Sequence, residues 1–340
     1  MCISLGNYPQ NAWQHFDHIH SSLHKWLQIT PGFQTHCAAY YCGPWIENIW
    51  ITTFSQKVKQ LRMNNKPLST IFGQYIPLFI PFTDLFVNGG ISQNGRKKYR
   101  YEKEFVTLFL NSLNASYNYV TVSQNDKGIY GNNDFPKLRN ILIFSAGGEG
   151  HVPIPLLKQE ESLLQMNTNR KYFTSFVGTL NTGKRQRMAY TIKVAATTYN
   201  FTYRIYTPKI RNRFLEIFGF NSWKNIVYHT NFNLSPRGFG RTSYHLAEII
   251  QLGRIPIYIY DDKPWIPYES LFRKKIGFVA TNTNVGILLH KLQNESIQIR
   301  ENTIRKYRSY FTYEGVMKQI ELFMKDPTKS QLECSGSIPT

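Results

Sequence analysis

Residues 232–260, FNLSPRGFGRTSYHLAEIIQLGRIPIYIY, contain the pattern that decides the fold class. A basic, glycine-rich turn is followed by an apolar run with helical spacing and then by a strand-like run. Thr242 or Ser243 is a suitable N-cap for the helix, and Gly253 stands where a glycine often ends one. IPIYIY then reads as a strand. A turn, helix and strand in this order indicate an α/β layer.

The turn itself has the composition of an anion site. Because the free N–H groups and the dipole of a helix N-terminus attract negative charge, a phosphate is a suitable ligand for this position. Gly238 and Gly240 allow close approach of the backbone, and Arg237 and Arg241 can neutralise a diphosphate. Glu248, about one and a half turns into the helix, can accept hydrogen bonds from a ribose. The alternative is an ordinary glycine-rich loop with two exposed arginines.

The length and the charge distribution of the chain indicate two domains and an anionic ligand of the second one. A chain of 340 residues is longer than one typical core, so two domains are expected. The net charge is +19, and it is concentrated in one half. Residues 1–165 have 14 Lys and Arg against 10 Asp and Glu, whereas residues 166–340 have 26 against 11. This excess indicates an anionic ligand of the second half, or a solvated basic surface.

Other global signals exclude several classes of protein. No apolar run approaches the roughly 20 residues of a membrane span, and the N-terminus does not resemble a signal peptide. The four cysteines (Cys2, Cys37, Cys42 and Cys334) are too few and too scattered for a disulfide scaffold or a zinc site. Cys37 and Cys42 could form a local bridge in an oxidising compartment, and the alternative is two ordinary thiols. Asn-x-Ser/Thr sequons occur at Asn114, Asn200, Asn233 and Asn294, and a chain this rich in Asn, Ser and Thr contains several by chance.

A pass along the chain predicts α/β organisation in both halves. The first half has helical patterns in NAWQHFDHIHSSLHKWL and FVTLFLNSL, and strand patterns in YNYVTVSQ and NILIFSAGG. The second half begins with a strand over Tyr172 to Val177 and a helix to about Thr198. A short strand in NIVYH, a strand in IGFVA and a long helical region from Ser296 to Lys325 follow. We expect a first domain over 1–165, a second over 166–325 and a tail over 326–340.

The residues of the opening stretch resemble the exostosin family of glycosyltransferases. Members typically have Cys-Pro-x-Gly, then a helix start Ser-x-Arg-x-x-Glu, then Gly-Cys-Ile-Pro-Val. This chain has Ser235-Pro236-Arg237-Gly238, a helix start from Ser243 to Glu248, and Gly253-Arg254-Ile255-Pro256-Ile257. The resemblance is strong over about residues 170–325 and thin before residue 70. Ser235 and Arg254 replace the family's cysteines, and His245 replaces its arginine, which removes a permanent charge near the expected diphosphate.

The resemblance implies a GT-B fold, in which two Rossmann-like domains face a cleft and a C-terminal helix crosses back to the first domain. It implies inverting transfer of a sugar from a nucleotide-sugar, most simply a UDP-sugar, to a hydroxyl of a glycan or polysaccharide. It also implies that no metal and no tightly bound cofactor are required, and the sequence has no Asp-x-Asp motif. The donor site is expected at the following residues of the second domain: Lys184, Arg185, Arg237, Gly238, Gly240, Arg241, Thr242, Ser243, His245 and Glu248.

The base that removes the acceptor proton is expected in the first domain. Asp126, in SQNDKG after a strand, is ranked before Asp84, in PFTD, and before His151. Each also has an ordinary explanation, because Asp is common in turns and caps, and a lone His is usually structural.

Two other readings remain. A degenerate, non-catalytic glycan-binding relative fits the His245 substitution. A basic nucleic-acid-binding protein fits the net charge, but the chain lacks a recognisable nucleic-acid motif, so no nucleic-acid partner is expected. The resemblance places the protein in the Golgi or another secretory-pathway lumen, and it leaves a homodimer or heterodimer open.

Overall fold

The computed structural model describes residues 2–3, 6–27, 37–38, 41–42, 45–83, 107–129, 138–158, 160–207 and 223–335. By its contacts the chain divides into two units. Unit 1 comprises Met1–Gln159, Trp265–Tyr268 and Tyr313–Thr340, and unit 2 comprises Glu160–Pro264 and Glu269–Thr312. Within the described ranges, no helix has both the length and the apolar content needed to cross a bilayer.

Both units are built of helices and strands in alternation. The first part of the chain contains α1 (Ala12–Leu27), β1 (Cys37–Ala38), β2 (Tyr41–Cys42), α2 (Ile46–Met63), α3 (Ser69–Phe72), β3 (Ile76–Pro77), β4 (Tyr119–Ser123), β5 (Ile141–Ser145) and β6 (Val152–Pro153). Unit 2 contains β7 (Tyr172–Val177), α4 (Gly183–Tyr199), β8 (Tyr203–Tyr206), α5 (Trp223–Tyr228), β9 (Thr230–Pro236), α6 (Tyr244–Gln251), β10 (Ile255–Tyr260), α7 (Glu269–Leu271), β11 (Phe278–Thr281), α8 (Val285–Lys291) and α9 (Ile297–Tyr307). The last α-helix of the described residues is α10 (Tyr313–Lys325), which is part of unit 1.

The main sheet of unit 1 is parallel, in the order β3-β4-β5-β6. Every residue of β4 and β5 is buried, as expected for central strands of a parallel sheet. Helix α2 packs on β4 with a stripe of buried side chains at helical spacing: Trp50, Phe54, Val58 and Leu61. The closing helix α10 contributes Phe323, whose ring lies 5.4 Å from that of Phe144 on β5.

A disulfide joins the two ends of unit 1. Cys2 and Cys334 are bonded, with their Cα atoms 5.3 Å apart across a sequence separation of 332 residues. The backbone N–H of Ser335 also donates to the carbonyl of His151 at 2.8 Å. The only disulfide suggested by the sequence analysis was a local bridge between Cys37 and Cys42. The bond between Cys2 and Cys334 was not predicted, because two cysteines so far apart in sequence are paired only by the tertiary fold.

The sheet of unit 2 is also parallel, in the order β11-β10-β9-β7-β8. The first strand of this unit, β7, pairs with β8 on one side and with β9 on the other. The chain therefore moves outward in one direction to β8 and then returns to the opposite side of β7 to add β9, β10 and β11. This reversal lies between β7 and β9.

A cluster of charged side chains connects the start of unit 2 to its last helix, α9. The carboxylate of Glu301 on α9 is fully buried between two arginines. It accepts from Arg170 Nη2 at 2.7 and 2.8 Å and from Arg254 Nη1 at 2.8 Å. Arg254 also donates to the carbonyl of Gln165 at 2.5 Å. Arg254, at the position where the exostosin pattern has a cysteine, belongs to this ion-paired core.

Two predicted elements differ from the structure. NIVYH was expected to be a strand, but Trp223–Tyr228 is helix α5 and the strand begins only at Thr230. The hydroxyl of Thr230 donates to the carbonyl of Ile226 at 2.7 Å, which ties the helix end to the start of β9. The expected long helical region from Ser296 is split into α9 and α10 by a 3-10 turn over Arg308–Phe311.

Candidate functional site

The candidate site lies at the carboxyl edge of the sheet of unit 2. Since β7, β9 and β10 are adjacent and parallel, the loops that follow them meet at this edge. Two of these loops, the ones after β7 and β9, flank the reversal of strand order. In open parallel α/β sheets, ligands bind at such a reversal, because the loops on its two sides diverge and leave a crevice.

The loop after β9 leads directly into helix α6. Ser243 is the N-cap: its backbone is extended, with φ −148° and ψ 141°, and its hydroxyl accepts from the N–H of His245 at 3.3 Å. The N–H of Gly238 donates to the carbonyl of Thr242 at 2.8 Å and closes the turn. A Cβ on Gly238 would lie 3.2 Å from that carbonyl oxygen, so the close turn favours glycine. Of the two N-cap residues predicted, the structure selects Ser243.

The loop after β7 contributes a second helix N-terminus. Thr182 caps α4 by accepting from the N–H of Arg185 at 3.3 Å. Arg185 then reaches across to the other loop, where its Nε donates to the carbonyl of Arg237 at 3.1 Å. Its Nη1 donates to Thr179, and the guanidinium lies 5.7 Å from the ring centroid of Phe176. Burial lowers the pKa of Arg185 below its ordinary value. The two helix starts are thus joined by one arginine.

Three of the predicted cations are paired with an acidic pair, Asp261 and Asp262, that directly follows β10. Arg237 Nη1 lies 3.1 Å from Asp261 Oδ1 and 3.0 Å from Asp262 Oδ1. Arg241 Nε lies 3.1 Å from Asp262 Oδ2, and Lys184 forms an ion pair with Asp261. The acidic pair therefore lies against the charges expected to hold a diphosphate.

Arg237 and Asp262 also have partners that fix their positions. Arg237 donates to the carbonyls of Gly240 at 3.0 Å and Phe239 at 3.1 Å, so it shapes its own loop. Partial burial raises the pKa of Asp262. Hydrogen bonds from the backbone of Lys263 and from Arg241, with the charges of Arg237 and Arg241, outweigh burial and hold this pKa below its ordinary value. Asp262 is therefore charged at neutral pH, and it is paired with two of the cations that were predicted to bind a diphosphate.

His245 and Glu248 lie together on α6. Glu248 is 7% exposed, and its Oε2 is 3.3 Å from Nδ1 of His245. The ring of His245 also meets that of Trp223, with centroids 5.9 Å apart. The histidine that stands where the exostosin pattern has an arginine is thus held by the glutamate of the same pattern.

The three base candidates have different surroundings in unit 1. Asp126 lies in an exposed turn just after β4, where the N–H of Gly128 donates to the carbonyl of Asn125 at 2.9 Å. His151 is 5% exposed, and its Nδ1 accepts from the N–H of Ile143 at 3.1 Å. Burial lowers the pKa of His151 to about 4, and this position suits a structural role. Asp84 lies outside the described residues.

The sequence analysis missed one feature at the carboxyl edge of each parallel sheet. The acidic pair was not predicted as part of the donor site, although its position directly after β10 in a parallel sheet places it at the shared edge. In unit 1, the fully buried Glu47 at the start of α2 accepts from Thr83 N at 2.7 Å and from Gln124 N at 2.6 Å. Glu47 therefore holds the backbone immediately before Asp84 and close to Asp126.

Comparison with known proteins gives weak structural similarities. No family model matches the sequence, and no curated protein matches it significantly. Among solved structures, the pneumococcal O-GlcNAc transferase GtfA in complex with UDP and GlcNAc is 11% identical, with a TM-score of 0.38 over 68% of this chain and 47% of that chain. The GtfA/B complex is 12% identical, with a TM-score of 0.35 over 61% and 46%. TarM is 9% identical, with a TM-score of 0.39 over 66% and 46%.

The chain thus spans about half the length of these structures. Similarities of this size do not assign an activity to it. Within the described residues, no group of three or more His, Cys, Asp or Glu side chains is arranged to hold a metal ion.

Proposed function

We propose that this protein is a glycosyltransferase that moves a sugar from a nucleoside diphosphate sugar, most simply a UDP-sugar, to a hydroxyl of a glycan. The supporting observation is the convergence of two helix N-termini and four basic side chains at the reversal of strand order in unit 2. Each helix N-terminus is equivalent to about half a positive charge. A diphosphate is the ligand whose charge and size match this set.

The donor would be bound by the loops after β7 and β9. Arg241, the N–H groups at the start of α6 and Lys184 would contact the diphosphate, while Arg185 and Arg237 keep the two loops together. Glu248 would accept from the ribose hydroxyls after releasing His245. In this arrangement positive charge stabilises the leaving diphosphate, which is the larger part of the catalytic task.

The transfer itself would invert the anomeric carbon. An acceptor hydroxyl attacks that carbon from the face opposite the diphosphate, the bond from carbon to the diphosphate oxygen breaks, and the hydroxyl proton passes to a base. Asp126 is the proposed base because it is an exposed carboxylate in a loop at the carboxyl edge of the unit 1 sheet. This role, the inversion and the exostosin-like assignment are all parts of the proposal.

A non-catalytic glycan-binding relative is the second candidate. The acidic pair supports it, since Asp261 and Asp262 already neutralise much of the charge that a diphosphate needs. So does the pairing of His245 with Glu248, which occupies both residues of the exostosin helix pattern. This candidate predicts that the protein binds a glycan but not UDP.

Calorimetric titration with UDP tests the donor site. Arg241→Ala should weaken binding by roughly 1.5–3 kcal/mol, about tenfold to a hundredfold, because it removes a charge-assisted contact to phosphate. Glu248→Gln should weaken UDP binding but leave binding of inorganic pyrophosphate nearly unchanged, because pyrophosphate has no ribose. Arg273→Ala, which removes an exposed arginine paired with Glu269, is the matched control and should change neither. Equal UDP affinity for all variants, or no UDP binding at all, would refute the donor site.

A further inference from the structure

The disulfide between Cys2 and Cys334 indicates the environment in which this chain folds. Structural disulfides form and persist in oxidising compartments such as the secretory lumen, and they are rare in the reducing cytosol. A second pair of cysteines, Cys37 and Cys42, lies directly opposite across the antiparallel strands β1 and β2. A chain that folds in such a lumen also encounters the machinery that attaches oligosaccharides to asparagine.

The structure separates the four sequons into two groups. Asn233 lies on β9, between β7 and β10, and it is fully buried. Asn114, Asn200 and Asn294 are exposed, and each lies in a turn or at a helix end. An N-linked oligosaccharide is large and hydrophilic, so it is compatible only with the second group.

Asn200 and Asn294 lie at the same end of two packed helices. The residues just before them are hydrogen-bonded, Gln293 Nε2 to the carbonyl of Tyr199 at 2.9 Å. The ring of Tyr199 also stacks on that of His290, with centroids 4.2 Å apart. Two sequons more than ninety residues apart in sequence are therefore neighbours on the surface of unit 2.

The helices that end at these sequons have exposed apolar side chains. Tyr190 and Val194 on α4 are 70% and 47% exposed, and Ile287 on α8 is 53% exposed. Exposed apolar side chains that form a contiguous patch favour association between molecules. Oligosaccharides at Asn200 and Asn294 would be well placed to shield this surface.

We propose that Asn200 and Asn294 form a paired N-glycosylation site on unit 2, with Asn114 as a third site on unit 1. In each case the side-chain amide nitrogen forms a bond to the anomeric carbon of an oligosaccharide. The oligosaccharide is supplied on a lipid diphosphate carrier, the carrier diphosphate leaves, and the amide loses one proton. This inference is independent of the donor site and of the transferase activity.

Three substitutions remove the sequons while keeping the local structure. Asn200 adopts a left-handed conformation, with φ 52° and ψ 64°, at the end of α4, so Asn200→Gly preserves the turn. Ser296→Ala removes the sequon of Asn294, and the hydroxyl of Ser296 forms no capping hydrogen bond within the described chain. Ser116→Ala removes the sequon of Asn114 and keeps the bond from Ser116 N–H to Asn114 Oδ1.

The experiment expresses the full chain, preceded by a cleavable signal sequence, in a secreting eukaryotic cell. The soluble protein is treated with peptide N-glycosidase F in ¹⁸O water, which marks every asparagine that had held a glycan, and is then mapped by mass spectrometry. We expect the label at Asn114, Asn200 and Asn294, none at Asn233, and the loss of one site in each variant. A non-reducing peptide map of the same sample should show Cys2 bonded to Cys334.

Two outcomes would overturn the proposal. One is soluble protein with the disulfide formed but no label at Asn200 or Asn294. The other is a label at Asn233 in soluble protein, because a glycan there is incompatible with β9 in the centre of the sheet. Removing both sites of the pair should also increase self-association in analytical ultracentrifugation, whereas Ser116→Ala alone should not.

Discussion

The acidic pair, Asp261 and Asp262, allows a quantitative prediction about UDP binding. Asp262 contacts Arg237 at 3.0 Å and Arg241 at 3.1 Å, and its side chain is 42% exposed. An ion pair at this exposure contributes about 0.2–1 kcal/mol, so the two contacts together contribute about 0.4–2 kcal/mol. A diphosphate bound by these two arginines would have to displace this carboxylate. Because Asn retains part of the hydrogen bonding, Asp262→Asn should tighten UDP binding by about twofold to tenfold.

Isothermal calorimetry of UDP at low and at raised ionic strength measures this effect. The gain should shrink as salt increases, because screening already weakens the competing ion pairs in the wild-type protein. Asp326→Asn is the matched control, since Asp326 lies in unit 1, pairs with Lys329 and has a side chain that is 37% exposed. If the wild-type protein binds UDP but Asp262→Asn binds it equally or less tightly, then Asp262 is not a competitor. It would instead hold the arginines in their binding positions.

Three further predictions concern stability and transfer. Glu301→Gln should lower the free energy of unfolding by roughly 3–5 kcal/mol in urea titrations, because it leaves the buried Arg254 and the partly buried Arg170 without their anion. Glu295→Gln near the surface should cost less than about 1 kcal/mol. Burial lowers the pKa of His151 to about 4. The free energy of unfolding should therefore fall by about 3 kcal/mol as the pH drops from about 6.5 to about 4. His151→Asn should make the free energy of unfolding less dependent on pH over this range. Asp126→Asn should reduce sugar transfer by about 10²–10⁴-fold while UDP affinity is unchanged.

Each of these has a result that would contradict it. Equal destabilisation by the two glutamine variants would mean that the charge of Glu301 is not needed by its arginines. The sign for His151 follows from its lowered pKa: the unfolded chain takes up the proton first, so stability is complete above the unfolded pKa and is lost below it. A pH dependence that His151→Asn does not alter would place the titration elsewhere. Undiminished transfer by Asp126→Asn would move the base to another residue.

Local patterns predicted most of the individual elements. The apolar spacing in α1 and the mostly apolar strands β4, β5 and β10 matched the structure, because each pattern reports the burial of one short segment. NIVYH was wrongly predicted to be a strand, because a five-residue run is compatible with both helical and strand periodicity. In the structure the run is helical as far as Tyr228, and the hydroxyl of Thr230 donates to the carbonyl of Ile226 at the end of that helix. The donor residues from Arg237 to Glu248 could be proposed together because the glycine-rich turn, its arginines and the N-cap are contiguous in sequence, and they remain a proposal.

The sequence by itself determined the turn, the cap and the helix that follow β9, since these depend on backbone preferences within about ten residues. Only the tertiary structure brought the loop after β7 beside the loop after β9, and only it placed Asp261 and Asp262 against their arginines. The tertiary structure likewise brought Cys2 to Cys334, and it placed Glu301 between Arg170 and Arg254. These partners are from about twenty to more than three hundred residues apart. Their pairing depends on strand order and on burial, and a single sequence does not record either one locally.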